Sequence, residues 1–245
     1  MVNMIKALVF DVDDTITASC QTIKDETANI LEKIRPEIAF LTGTPIPELK
    51  RMISSRLNRK HHLMGNTGTH YVVVENSAEK EILKDSLNEE EKIEIIIALK
   101  QLKAKYNLIP LTSEEDQIQD RGSQITFSVL GRNASSKDKS NYDSDKKKRI
   151  EFIFFLNNII NKYEIKIGGT TSIDITPKGR DKAWAINNFM RINNFRKDEI
   201  IFFGDQLQPG GNDYAALKTG VKCVAVKNPE QTIEILKEML DKKEI

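Results

Sequence analysis

The chain has 245 residues, is 39% hydrophobic and 30% charged, and carries a formal net charge of +1. This composition is typical of a globular protein long enough for one core and a second small domain. The near-neutral charge and the lack of long apolar runs predict no nucleic-acid or membrane partner. Two cysteines argue against a disulfide framework. Because the first residues lack a signal-peptide pattern, we predict a cytoplasmic protein.

Short apolar runs and helical patterns alternate along the chain. The runs predict strands at residues 5–10, 38–42, 200–203 and 222–226. The segments between them predict helices at about residues 23–35, 45–58, 181–194, 213–219 and 229–242. Alternating strands and helices predict an α/β fold with a parallel sheet covered on both faces. His61, His62 and His70 lack the spacing of a metal site, and we place them on a surface loop.

The middle of the chain has a different pattern. A charged helix at residues 89–106 precedes an alternating strand in which Ile125 and Phe127 share one face. A later alternating strand places Ser172 and Asp174 together on one face. One-sided strands combined with helices predict an antiparallel sheet with one exposed face, and therefore a separate α+β domain.

These patterns predict how the chain is divided into domains. We assign residues 1–79 and 179–245 to a Rossmann-like core, and residues 80–178 to an inserted α+β cap domain. The polar stretch 135–145 is interpreted as a loop or a frayed helix start. The basic run 146–149 is interpreted as a solvated helix face.

Two carboxylates, Asp11 and Asp13, follow the first predicted strand. The carboxyl edge of a parallel sheet is where ligands bind in such folds. Asp11 can attack phosphorus as a covalent nucleophile, and Asp13 can exchange a proton with the incoming or leaving oxygen. Taken alone, the pair is better explained as an acidic turn at the end of a strand, because Asp-x-Asp is common.

Further candidates for phosphoryl transfer follow in order along the chain. Thr42 can hydrogen-bond a phosphoryl oxygen, and Lys182 can neutralise a phosphorylated aspartate. Asp205 and Asp213 can complete a Mg2+ site with Asp11, because hard carboxylate oxygens suit that ion. Each residue also has an ordinary explanation when it is considered singly, as a turn residue or a solvated lysine.

In combination, these residues resemble the four motifs of the haloacid dehalogenase superfamily of phosphotransferases. The matching segments are Asp11-Val12-Asp13-Asp14-Thr15, Thr42, Lys182, and Gly204-Asp205 with Asp213. The second half more closely resembles the eukaryotic-type phosphomannomutases, through Gly168-Gly169-Thr170-Thr171-Ser172-Ile173-Asp174, Gly179-Arg180-Asp181-Lys182, Pro209-Gly210-Gly211-Asn212-Asp213, and Arg121 eleven residues before Arg132. The resemblance covers nearly the whole chain and implies a superfamily core with a type IIB cap.

The resemblance also implies roles for individual residues. It implies that Arg121 and Arg132 hold a second phosphate, and that Ser172 and Asp174 bind sugar hydroxyls. Without it, these four would be ordinary loop and strand residues. The implied Mg2+ ligands are Asp11, the backbone carbonyl of Asp13, Asp205 and Asp213. The implied partner is a small phosphorylated sugar, and a homodimer is left open.

Three positions depart from the phosphomannomutase pattern. Asp14 stands where the family has glycine, and Cys20 stands where it has a substrate-binding arginine. Lys139 falls on a third family position, seven residues after Arg132, where it keeps the charge but loses the planar guanidinium. A mutase must hold a bisphosphorylated intermediate, whereas a phosphatase only has to admit water.

On this ground we narrowly favour a Mg2+-dependent sugar-phosphate phosphatase, a hydrolase that uses an aspartyl-phosphate intermediate. The alternative is a phosphomannomutase that interconverts hexose 6-phosphate and 1-phosphate. A remote alternative is a non-catalytic binding protein on the same fold. The complete set of candidate residues argues against it: Asp11, Asp13, Thr42, Lys182, Asp205 and Asp213.

Overall fold

A computed structural model describes residues 4–245. The strands are β1 (Ala7–Phe10), β2 (Glu37–Leu41), β3 (His61–Gly65), β4 (His70–Glu75), β5 (Ala78–Lys84), β6 (Ile118–Asp120), β7 (Ile125–Ser128), β8 (Tyr163–Ile167), β9 (Ser172–Pro177), β10 (Ile200–Gly204) and β11 (Lys222–Ala225). The α-helices are α1 (Asp25–Leu31), α2 (Ile46–Leu49), α3 (Glu89–Tyr106), α4 (Ser136–Tyr142), α5 (Lys147–Asn157), α6 (Lys182–Asn193) and α7 (Pro229–Asp241). In the part of the chain so described, no helix is both long and apolar enough to span a bilayer.

The chain divides into two compact units. The core unit runs to Lys84 and resumes with Arg180–Ile245, and the inserted unit is Asp85–Gly179. The sequence pattern placed these boundaries at residues 79 and 178. The first boundary differs because β5 pairs with β4 and so belongs to the sheet of the core unit.

The sheet of the core unit has the strand order β11-β10-β1-β2-β3-β4-β5. Neighbours from β11 to β3 are parallel, and β4 and β5 extend the sheet as an antiparallel hairpin. Every residue of β1 is fully buried, as expected for a strand covered on both faces. Phe10 pairs in register with Phe40 and Phe203, so β1, β2 and β10 end at one edge. The predicted α/β class with a parallel-rich sheet is confirmed.

The largest difference from the predicted elements lies at residues 59–79, where strands β3 and β4 had not been predicted. His61, His62 and His70 were placed on a surface loop, and this was wrong, because His61 and His62 lie buried in β3 and His70 begins β4. The imidazole of each buried histidine is hydrogen-bonded inside the protein: His61 Nε2 lies 2.7 Å from Ser54 Oγ, and His62 Nδ1 lies 2.6 Å from the Tyr71 hydroxyl. Polar rings that find such partners can be buried at little cost.

Two predicted helices of the core unit have irregular parts. The helix predicted at residues 45–58 is α2 followed by a π-helix, Lys50–Ser54. The helix predicted at 213–219 is a 3-10 helix, Tyr214–Thr219. Helix α6 begins directly after Asp181, whose side chain accepts a hydrogen bond from the Trp184 amide at 3.0 Å. This capping contact sets the first residue of α6.

The inserted unit contains an antiparallel sheet of order β6-β7-β9-β8. Its apolar face, which includes Ile125 and Phe127, is buried in a cluster with residues of α3 and α5. The opposite face carries Thr126 in register with Asp174, and Ser128 in register with Ser172. Helix α4 lies within the polar stretch 135–145.

Candidate active site

Asp11 lies immediately after β1 and is almost fully buried. Its amide donates to the Phe203 carbonyl at 2.9 Å, which ties it to the end of β10. Oδ1 accepts a hydrogen bond from Lys182 Nζ, and Oδ2 accepts one from Thr15 Oγ1 at 3.2 Å. Burial raises the pKa of Asp11 to about 6, although the charge of Lys182 opposes the rise. The carboxylate is therefore anionic at neutral pH and oriented on both oxygens.

Lys182 is the first residue of α6, and its side chain is only 4% exposed. Nζ donates to Asp11 and, at 2.5 Å, to Asp213 Oδ1. Burial alone would lower the pKa of Lys182, but the charges of Asp11 and Asp213 outweigh burial and raise it. A buried ammonium group, charged at neutral pH, therefore lies between the candidate nucleophile and a second carboxylate.

Asp11, Asp205 and Asp213 each offer a carboxylate oxygen, and these oxygens all lie within 4.8 Å of one another. Burial raises the pKa of Asp205, and the charge of Asp213 adds to the rise. Such a cluster of hard oxygen donors fits Mg2+, which would also relieve the repulsion between the carboxylates.

A glycine is required where the carboxylates converge. A Cβ atom on Gly204 would lie 2.5 Å from Asp213 Oδ2. That oxygen also accepts a hydrogen bond from the Gln206 amide at 3.0 Å. The missing side chain therefore lets the Asp213 carboxylate lie directly against the end of β10.

Asp13 and Thr42 lie near strand ends but outside this cluster of carboxylates. Asp13 is half-buried, and its Oδ1 accepts a hydrogen bond from the Cys20 amide at 2.7 Å. Thr42 directly follows β2, and its hydroxyl contacts the hydroxyl and amide of Thr44. The roles of both residues stay predictions.

Asp14 has a structural explanation. Its φ of 58° lies in the left-handed region, which glycine adopts most easily and aspartate tolerates. The Asp14 amide donates to the Thr17 carbonyl at 2.8 Å, and its carboxylate accepts from the Ser19 amide at 3.3 Å. The additional charge is thus used to stabilise its own turn.

Two threonines form a contact that the sequence did not reveal. Thr232, fully buried on α7, donates its hydroxyl hydrogen to the Thr15 carbonyl at 2.6 Å. Thr15 in turn donates to Asp11 and lies 3.5 Å from Asp205 Oδ1. The turn after β1 is therefore held from the last helix of the chain.

The candidate substrate residues all belong to the inserted unit. Asp174 Oδ1 accepts a hydrogen bond from Thr126 Oγ1 at 2.7 Å, on the polar face that also carries Ser172. Arg121 and Arg132 are exposed, and Arg121 donates to Gln119 Oε1 at 3.1 Å. Lys139 Nζ donates to the Arg132 carbonyl at 2.5 Å. The structure places these groups in one unit and leaves their roles as predictions.

Arg149 was interpreted as part of a solvated basic face, and this was wrong, because it is 2% exposed. Nε donates to Asp143 Oδ2 at 2.7 Å, and Nη1 donates to the Gly169 carbonyl. Arg149 thereby fixes the loop that precedes Ser172. The sequence pattern that could have predicted this burial is the helical spacing of Arg149 with Phe152 and Leu156, which together form the buried stripe of α5.

Replacing Arg149 by methionine is expected to destabilise the protein by about 3–5 kcal/mol, because Asp143 would remain buried without its cation. Denaturant unfolding measures the change. The control is Lys147→Met on the same helix, where the side chain is 82% exposed. Equal unfolding free energies for the two variants would contradict a structural role for the Arg149 ion pair.

Known proteins resemble this chain over nearly its whole length. The family model described as "Eukaryotic phosphomannomutase" matches residues 27–242. Phosphomannomutase of Saccharomyces cerevisiae is 26% identical over 245 residues, covering 96% of this chain and 94% of that protein. Phosphomannomutase of Spinacia oleracea is 28% identical over 249 residues, covering 96% of each.

A solved structure shows the same fold. The IMP-bound, N-terminally truncated IMP-nucleotidase of Plasmodium falciparum matches with a TM-score of 0.66 and 16% identity, over 97% of this chain and 68% of that one. The family match and the fold lead to one conclusion. The chain belongs to the eukaryotic phosphomannomutase family, and is a phosphoryl-transfer enzyme of the haloacid dehalogenase superfamily.

Proposed function

We propose that the protein is a Mg2+-dependent phosphomannomutase that interconverts hexose 6-phosphate and 1-phosphate. The sequence alone narrowly favoured a phosphatase, but the relatives matched over nearly full length are phosphomannomutases and support the alternative. The observation that carries the chemistry is the buried Asp11, oriented by Lys182 and Thr15 at the end of β1. This is the arrangement expected of an activated carboxylate nucleophile.

In the proposed reaction, Asp11 forms a bond to one phosphorus of a hexose 1,6-bisphosphate while the bond between that phosphorus and its sugar oxygen breaks, which leaves a hexose monophosphate. Asp13 protonates the leaving oxygen. Asp13 then takes the proton of the free hydroxyl group of a hexose monophosphate as that oxygen accepts the phosphoryl group from Asp11, which re-forms the bisphosphate. The ammonium group of Lys182 balances the charge on the Asp11 side throughout.

The residues present fit a magnesium ion, which would be held by Asp11, Asp205, Asp213 and the carbonyl of Asp13. When bound, the ion supplies positive charge to the phosphoryl oxygens. The carboxylates must be deprotonated to bind it, and this makes metal affinity depend on pH.

Mg2+ binding is expected to weaken as the pH falls through about 6. Burial raises the pKa of Asp11 to about 6 and also raises that of Asp205. Protons therefore compete with Mg2+ for these carboxylates below this pH, and the competition disappears above it. Calorimetric titration of the substrate-free protein should show a Kd at least about tenfold larger at about pH 5 than at about pH 7.5.

Asp205→Asn provides the comparison for this titration, because it removes the negative charge of one ligand at nearly constant size. We expect weaker binding by Asp205→Asn at every pH. An unchanged Kd across the pH range in the wild-type protein would contradict the titration of these carboxylates.

Arg132→Ala is expected to lower kcat/KM for a hexose 1,6-bisphosphate by roughly 10- to 100-fold, since a lost charged hydrogen bond costs roughly 1.5–3 kcal/mol. A small aryl phosphate has no second phosphate to hold, so its kcat/KM should change little. Lys137→Ala, an exposed neighbour, is the control. Equal losses on both substrates would show that Arg132 acts structurally.

The proposed function is tested by phosphorus NMR of mannose 1-phosphate with Mg2+ and a catalytic amount of hexose 1,6-bisphosphate. A mutase forms the 6-phosphate faster than free phosphate appears. Release of free phosphate faster than formation of the 6-phosphate would support the phosphatase instead. Samples without the bisphosphate should react slowly, because the phosphorylated aspartate is then not replenished.

A further inference from the structure

The active site of the core unit has an excess of negative charge. Its carboxylates belong to Asp11, Asp13, Asp14, Asp205 and Asp213, and its buried cation is Lys182. If one Mg2+ binds, the metal and the lysine together supply three positive charges. A hexose bisphosphate would add up to four further negative charges to the five carboxylates. A further cation near these carboxylates would therefore contribute strongly to binding.

Arg51, in the π-helix, lies beside the turn that carries Asp13. Its Nη2 donates to the Cys20 carbonyl at 2.9 Å, and its Nη1 donates to Thr22 Oγ1 at 3.3 Å. The amide of the same Cys20 donates to Asp13 Oδ1 at 2.7 Å. A single residue thus separates the guanidinium group from the candidate acid, and backbone dimensions place the two charges within roughly 9 Å.

The guanidinium group of Arg51 is available to a ligand. The side chain is 49% exposed, and its acidic partner Glu48, three residues earlier, is 47% exposed. Exposed pairs of this kind hold weakly. Arg51 donates from Nε and Nη2 to one oxygen of Glu48, and from Nη1 only to Thr22 in the contacts described. One of the five N–H donors of arginine is therefore open.

We infer that Arg51 binds the non-reacting phosphate of a hexose bisphosphate. The inference rests on the proposed mutase function and names one residue of its substrate site. The reacting phosphate must lie against Asp11, which none of the described contacts of Arg51 reaches. The other phosphate of the ligand is therefore the one assigned to Arg51. The open Nη1 donor can hydrogen-bond one phosphate oxygen with the help of the guanidinium charge, and the contact with Cys20 keeps the group at the turn.

Binding to the non-reacting Asp11→Asn protein tests this role without turnover. The probes are glucose 1,6-bisphosphate and inorganic phosphate, measured by calorimetry with Mg2+ present. Arg51→Gln in this background should raise the Kd of the bisphosphate by about tenfold or more, the loss expected for a charged hydrogen bond. The Kd of inorganic phosphate should stay within about twofold, because its tightest binding is expected at the reacting position, beside Mg2+ and Lys182.

A rescue variant and a matched control complete the design. Cys20 is exposed beside Arg51, so adding Cys20→Arg to Arg51→Gln returns a cation to the same turn and should recover most of the lost affinity. Arg56→Gln removes another exposed arginine, one paired with Asp25, and should change neither Kd. Arg51→Lys should fall between wild-type and Arg51→Gln, because it keeps the charge and loses the fork.

The inference is overturned if Arg51→Gln and Arg56→Gln bind the bisphosphate equally, or if Arg51→Gln weakens both probes alike. Failure of the proposed function is seen separately, as absent mutase turnover of the wild-type protein in the NMR assay. A protein with intact Arg51 that binds no bisphosphate would overturn the inference as well.

Discussion

Asp11→Asn is expected to reduce turnover by at least about 10^4-fold, the order of loss seen when a catalytic nucleophile is removed. The amide has nearly the shape of the carboxylate, and its oxygen can still accept from Lys182 or Thr15. It cannot, however, form an acyl phosphate. Because Asp11 is buried and anionic above about pH 6, the variant also removes a buried negative charge.

The measurement is single-turnover transfer of phosphate from a hexose 1,6-bisphosphate, with unfolding followed in parallel to show that the fold is kept. Asp241→Asn, at an exposed position on the last helix, is the matched control and should behave as wild type. Turnover of the Asp11→Asn protein within about tenfold of wild type would remove Asp11 from the role of nucleophile, provided that mass spectrometry excludes deamidation.

Lys182→Met is expected to reduce turnover by about 10^2- to 10^3-fold, comparable with the loss of one preorganised electrostatic contact. It should also destabilise the protein by about 3–5 kcal/mol, because Asp11 and Asp213 would remain buried without a cation. Without the lysine, the pKa of Asp11 rises further above its usual value, since Lys182 is the main group that lowers it. Part of Asp11 is then protonated at neutral pH.

The pH dependence of stability checks this explanation in metal-free protein. A carboxyl group whose pKa is raised on folding binds protons more tightly in the folded state, so stability increases as the pH falls towards the unfolded pKa. The stability of Lys182→Met relative to wild type should therefore increase as the pH is lowered from about 8 to about 5. Adding Asp11→Asn should restore stability to Lys182→Met, because it removes one uncompensated charge. A double variant less stable than Lys182→Met would contradict the electrostatic account.

The sequence by itself determined the fold class and most of the candidate site. Apolar runs ending in Asp11 and Asp205 indicated buried parallel strands, and the carboxyl ends of such strands meet at one edge for geometric reasons. The structure does bring Asp11, Asp205 and Asp213 together with Lys182. Their roles in the reaction stay predictions, but their proximity follows from strand order and chain direction.

The tertiary structure decided which polar side chains are buried and which charges are neighbours. The pattern around His61 does not differ from that of an exposed polar residue, because its burial depends on partners such as Ser54 that only packing supplies. Arg149 lies on an apolar stripe of its helix, but its ion pair with Asp143 also forms only when the elements pack. The same holds for the turn at Cys20. The sequence showed a missing arginine there and favoured a phosphatase, whereas the fold places Arg51 against its carbonyl from 31 residues away. Local periodicity reports which face of an element is apolar, but contacts between distant side chains arise only when the elements pack.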